Sequence, residues 1–156
     1  MTHNTSFKIR SLPYKIVQAA RQSRCDLFDH ELSVLSDGQP HQCRSCLRLS
    51  QPQEGVILMA YRPFTSHQPY AESGPVFIHE RDCEPYQDIH VYPPEFPHSA
   101  VVLRAYNYRD QIVGAEVVGD KRVEEVIAEM FDSQATAYLH ARNLSYGCYM
   151  FGIDRA

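Results

Sequence analysis

A chain of 156 residues, 44% hydrophobic and 22% charged, has the composition of a globular protein and room for one domain. Its formal net charge of -4, with no run of Lys or Arg, argues against a nucleic-acid-binding surface. The longest apolar run, Val56 to Tyr61, is too short to cross a bilayer, so no membrane role is expected.

The opening MTHNTSFKIRS lacks the apolar core of a secretory signal. A cytoplasmic, soluble protein with its five cysteines reduced is therefore the expectation. Residues 6–12, SFKIRSL, alternate apolar and polar positions and predict a short edge strand. Pro13 suits the first position of a helix, and Tyr14, Val17 and Ala20/Arg21 continue it at helical spacing through residue 25. Residues 36–54 carry Asp37-Gly38, Pro40 and Pro52, the punctuation of a loop. Cys43 and Cys46 lie within it, before a predicted strand at 55–64.

A loop at 65–75 precedes a strand at 76–80; Gly74 permits a turn there and Pro75 fixes entry into the strand. Residues 83–99 hold Pro85, Pro93, Pro94 and Pro97, which exclude a central strand or a helix interior. So long a loop in a small domain is expected to be functional or mobile. Residues 100–118 predict a hairpin broken at Arg109-Asp110. Asp120 is placed to cap a helix whose Val123, Val126, Ile127, Met130 and Phe131 form an apolar stripe. A second hairpin follows, 135–143 and 147–155, turning across Leu144 to Gly147. The sum is one α+β domain over residues 1–156: a mostly antiparallel sheet with one or two helices packed on one face.

Strand parity separates two surfaces. Val101, Leu103 and Ala105 share a face with Leu139 and Ala141, which should receive the helix at 120–132. Arg104 and Tyr106 fall on the opposite face with Tyr138, His140 and Arg142. Guanidinium, phenol and imidazole together suit a small anionic or aromatic ligand, or a protein partner. A plain solvated strand face is the blander alternative and the more common outcome; as a function for the chain, binding on this face is the reading adopted, ahead of a metal centre or an enzyme.

The cysteines admit three roles. Cys43 and Cys46, spaced C-x2-C, could pair with His79 and Cys83, spaced H-x3-C, in a Cys3His zinc site, with His41 and Cys148 as substitute ligands. A thioredoxin-like redox pair lacks the preceding strand it needs. Buried thiols acting as small hydrophobes are the preferred account, because a single C-x2-C is weakly specific. A third possibility is catalytic: Cys148 as nucleophile with His140 as base across the last hairpin, and Glu72 as an acid/base candidate. No G-x-S-x-G, H-E-x-x-H or glycine-rich phosphate loop is present.

CRSCLR (43–48), YRPF (61–64), PYAESGPVFIHERDC (69–83), LRAY (103–106) and HARN…GC (140–148) together resemble the bacterial family DUF1203, a domain of unknown function. The resemblance runs from about Pro40 to the C-terminus. It implies a compact single domain and no assigned activity. Cys43, Cys46, His79, Cys83, Arg104, His140, Arg142 and Cys148 all lie in the matching segments.

Overall fold

A computed structural model describes residues 6–156; the first five residues of the opening segment lie outside the described residues. In chain order the elements are β1 (Phe7–Arg10), α1 (Tyr14–Ser23), β2 (Val34–Leu35), β3 (Val56–Tyr61), β4 (Gly74–His79), β5 (Val101–Tyr106), β6 (Ile112–Val117), α2 (Val123–Asp132), β7 (Tyr138–Asn143) and β8 (Tyr149–Arg155). The α+β class holds, and the strands divide into two antiparallel sheets. One runs β1-β8-β7-β5-β6 and the other β2-β3-β4. Among the described residues, no helix is long and apolar enough to cross a membrane.

The boundaries follow local chemistry. Helix α1 starts after Pro13 and stops at Arg24, which takes a left-handed φ of 53° and donates its N–H to the Ala20 carbonyl. Strand β3 ends at Tyr61, two residues before Pro63, which has no N–H to offer a ladder. Gly74 and Pro75 lie inside β4 instead of in a turn; β4 is an edge strand, where a missing donor is tolerated. At the β5–β6 turn the Asn107 side chain accepts hydrogen bonds from the Arg109 and Gln111 N–H groups, and Asp110 adopts a φ of 59°.

Asp120 does not cap α2. Arg122 holds the N-cap position with no side-chain bond, and Asp120 belongs to a turn in which Lys121 donates to the Val118 carbonyl. Glu124 and Glu125 in the first turn supply the negative charge that complements the helix dipole.

The stripe Val123, Val126, Ile127 and Phe131 packs on Leu103, Ala105, Leu139 and Ala141, as parity requires. The proline-rich segment 83–99 closes the same core: Tyr92 and Phe96 are buried, with ring centroids 5.3 and 5.9 Å from Phe151. Its two buried rings form one wall of the core. A second core places Val17 and Ala20 of α1 against Ile57, Met59, Val76 and Ile78 of the three-stranded sheet, with Cys43 and Cys46 inside it.

The opposite face of the five-stranded sheet is largely covered. Arg104 pairs with His140, Tyr106 with Tyr138 and Val102 with Arg142 in the β5–β7 register, so the five predicted residues share one side. The chain leaving β3 lies across that side. Phe64 meets Tyr106 and His140 at 5.2 and 5.1 Å, and Tyr61 meets Tyr149 at 5.8 Å. His140 and Tyr106 are fully buried as a result. Cross-sheet packing of this kind leaves no trace in strand periodicity.

Candidate metal centre

The loop 41–50 folds as a knuckle. Gln42 and Leu49 form an antiparallel bridge, Cys43 donates its N–H to the Arg48 carbonyl, and Leu47 donates to the Cys43 carbonyl. Closing so tight a turn forces Leu47 to a φ of 57°, a costly conformation for a bulky residue. Its side chain is fully buried in the main core, which holds the turn in place. The knuckle docks on β4: Cys43 bridges Phe77 in parallel, and Arg44 donates its N–H to the Phe77 carbonyl at 2.9 Å. His79 ends that same strand, and the chain then turns to bring Cys83 alongside.

The outcome is a compact four-residue cluster. One ligand atom from each of Cys43, Cys46, His79 and Cys83 lies within 4.8 Å of all the others. The sulfurs of Cys43 and Cys83 are 3.8 Å apart, and Cys46 Sγ is 3.4 Å from His79 Nδ1. None of the five cysteines is in a disulfide, and 3.8 Å is far beyond a sulfur–sulfur bond of about 2.05 Å. A tetrahedral zinc ion has bonds of about 2.3 Å to sulfur and about 2.0–2.1 Å to nitrogen. Such bonds space two sulfurs about 3.8 Å apart and a sulfur and a nitrogen about 3.5 Å apart. Both observed separations fall on these edges.

The surroundings suit a charged thiolate cluster. Cys43, Cys46 and His79 are buried, and Cys83 is half-buried at the rim. Arg21 of α1 donates from Nη2 to Cys83 Sγ at 3.2 Å and from Nε to the His79 carbonyl at 3.0 Å. The His79 backbone N–H points at Cys43 Sγ, 3.4 Å away. Glu54 Oε2 lies 3.4 Å from His79 Nε2, an ion-pair distance at which the two make no hydrogen bond. Hydrogen bonds from Cys43 and Cys46 pull the Cys83 thiol far below its ordinary pKa. The contact with Cys43 pushes Cys46 far up, and hydrogen bonding to Cys46 and Cys83 raises His79 to about 10. Cys46 and His79 thus hold protons more tightly and Cys83 less tightly than usual, and a cation entering the cluster must displace the protons that remain.

A family model described as "Protein of unknown function (DUF1203)" matches residues 40–155, a stretch containing the whole cluster. The chain belongs to the DUF1203 family. No curated protein and no solved structure matches it. In this DUF1203 chain α1, which supplies Arg21, precedes the matched segment.

The remaining predicted residues sit elsewhere. His41 is not in the cluster: its Nε2 contacts the Asp37 carboxylate at 3.0 Å and its ring lies 4.2 Å from Phe77. Cys148 lies beyond the last turn, where its thiol faces the Tyr146 carbonyl at 3.9 Å. Both ring nitrogens of His140 are buried without a hydrogen-bond partner, so the Cys148–His140 pair is not joined by a hydrogen bond. Glu72 turns its carboxylate to Arg104 and Arg142. Tyr138 gives its hydroxyl hydrogen to Asp110 at 2.6 Å.

Sequence reasoning missed Glu54 and Arg21, which reach the cluster only through tertiary packing. One signal for Arg21 does exist: it shares a helical face with Val17, a face that is otherwise apolar, and its side chain is 6% exposed. Arg44 was also missed. It is buried in the knuckle and donates to the Tyr149 carbonyl of β8 at 2.9 Å, tying the cluster to the five-stranded sheet.

Proposed function

We propose that this is a zinc-binding protein whose Cys43, Cys46, His79 and Cys83 form a closed structural centre. The carrying observation is the pair of separations at 3.8 and 3.4 Å in a buried Cys3His cluster. Three soft thiolates and one imidazole favour zinc over harder cations, and four protein donors leave no open position for substrate. An ion there would supply cross-linking: it would join the knuckle, the end of β4 and the following turn at one point. Arg21 offsets the negative charge that three thiolates leave over a divalent ion, and the Glu54 carboxylate sets a negative charge 3.4 Å from His79 Nε2, which makes the imidazole a better donor to a cation.

The direct experiment is elemental analysis of protein purified without added metal, alongside native mass spectrometry. About one zinc per chain is expected, from the four-donor rule. Protein that is metal-free, and that takes up no zinc on titration with its thiols reduced, would sink the proposal.

Glu54 offers a gentler test, because it touches the ligand and not the ion. Glu54→Gln keeps the shape and removes the charge. It is expected to weaken zinc binding roughly 10- to 100-fold in competition with a chromophoric chelator. Unchanged affinity would show that Glu54 does not support His79.

A further inference from the structure

The five-stranded sheet gathers positive charge and unpaired polar atoms that a metal centre does not explain. On its inner face the Tyr106 hydroxyl, both nitrogens of His140 and Arg142 Nε are buried without hydrogen-bond partners. Arg142 has a side chain only 8% exposed, and its Nη1 donates to the Gly147 carbonyl at 2.9 Å. A buried guanidinium without a close counter-charge is costly, because burial removes its hydration.

Among the described residues, Glu72 is the only carboxylate within ion-pair distance of Arg104 or Arg142. Its Oε1 lies 2.8 Å from Arg104 Nη1 and its Oε2 lies 3.8 Å from Arg142 Nη1. One oxygen thus addresses each guanidinium, which is how a free carboxylate is held between two arginines. Yet Glu72 belongs to neither sheet: it sits in the loop between β3 and β4 with its side chain 49% exposed. Beside it lies a cavity of about 180 Å³, walled by Arg142, Glu72, Tyr61, Tyr149 and Cys148. That is well below the roughly 300–1,000 Å³ typical of drug-sized ligands, so the space fits a small acid with a short body.

We propose that Arg104 and Arg142 form a binding site for a small oxyanion of the carboxylate or phosphate type, and that Glu72 holds the same seat when the ligand is absent. The buried guanidinium of Arg142 supplies the fixed charge, and the less buried Arg104 completes the clamp. Tyr61 and Tyr149 offer flat apolar walls to the rest of the ligand.

Isotope-labelled full-length protein titrated with sodium acetate, and separately with inorganic phosphate at matched ionic strength, tests this. Glu72→Gln removes the competing carboxylate from a half-exposed loop position, where folding is not at stake. It should bind one of the two anions at least tenfold more tightly than the unaltered chain. Amide shifts should centre on Arg142, Gly147, Cys148 and Tyr149. Adding Arg104→Gln to that variant should erase the gain. Preference for acetate assigns the site to carboxylic acids; preference for phosphate assigns it to phosphate compounds. Equal affinity with and without Glu72, shifts that map elsewhere, or no binding by Glu72→Gln overturns the proposal.

Discussion

Cys83→Ser is expected to leave purified protein without stoichiometric zinc and to lower its melting temperature by roughly 10 °C. Cys83 is the informative ligand because it is only half-buried, so exchanging its sulfur for oxygen disturbs packing little. The other two thiols are buried in the second core, where substitution would confound metal loss with core damage. The magnitude follows from linkage. A metal held at a free concentration a thousandfold above its dissociation constant stabilises the folded chain by about 4 kcal/mol. In a domain of this size each kcal/mol moves the midpoint by about 2–4 °C.

The decisive form of the experiment is a two-by-two comparison. Chelation should lower the melting temperature of the unaltered chain by nearly the amount that Cys83→Ser does, and should do almost nothing to the variant. Equal chelator sensitivity in both proteins, or a variant that keeps one zinc, would mean that Cys83 is not a ligand.

The four cluster residues were legible in spacing alone, as C-x2-C and H-x3-C, whereas their convergence was not. Thirty-two residues separate Cys46 from His79. Only the β3–β4 pairing and the docking of the knuckle on Phe77 bring them together. Buried thiols were the preferred account for that reason, and burial is indeed present; the added fact is that the thiols are buried against one another and an imidazole. Leu47 shows a second limit. A turn that needs a left-handed residue usually announces itself with Gly or Asn, and here a core leucine is held there by packing.

The sheet was more transparent. Period-two alternation in two regular hairpins assigned Leu103 and Leu139 to one face and Arg104 and His140 to the other, and the pairing register agrees. Hidden from that argument was the second layer, since Tyr61 to Phe64 lie across the polar face from a different sheet. A Tyr/His/Arg face is ambiguous in sequence because the same residues serve solvation, ligand binding and aromatic packing. Here the middle of the face is aromatic packing, and its Arg104–Arg142 end is where charge is left over.

Replacing His140 by leucine, of similar volume, is expected to flatten the acid limb of the stability curve. His140 is ringed by Phe64, Tyr106, Tyr138 and Tyr149 at centroid distances of 4.8–5.2 Å. Burial, reinforced by Arg10 of β1, Arg142 of β7 and Arg104 of β5, depresses its pKa from 6.5 to about 2. The unfolded chain binds a proton at this residue near pH 6.5, and the folded chain does not until about pH 2. Between those values the unfolded state holds more protons, so stability rises with pH and is lost as pH falls.

The slope for one proton is about 1.4 kcal/mol per pH unit, or about 2.7 kcal/mol lost two units below 6.5. Urea unfolding of both proteins between about pH 7 and about pH 4.5 should therefore converge or cross as acid is added, with the leucine variant gaining on the unaltered chain at that slope. Acid release of metal is common to both proteins and cancels in the difference. At neutral pH the variant should differ by less than about 1.5 kcal/mol, since an apolar group of similar size replaces an imidazole whose polar atoms have no partner. Parallel curves across the whole range would show that His140 is protonated in the folded chain or meets solvent. In either case burial and the charges of Arg10, Arg142 and Arg104 would not be holding the imidazole neutral.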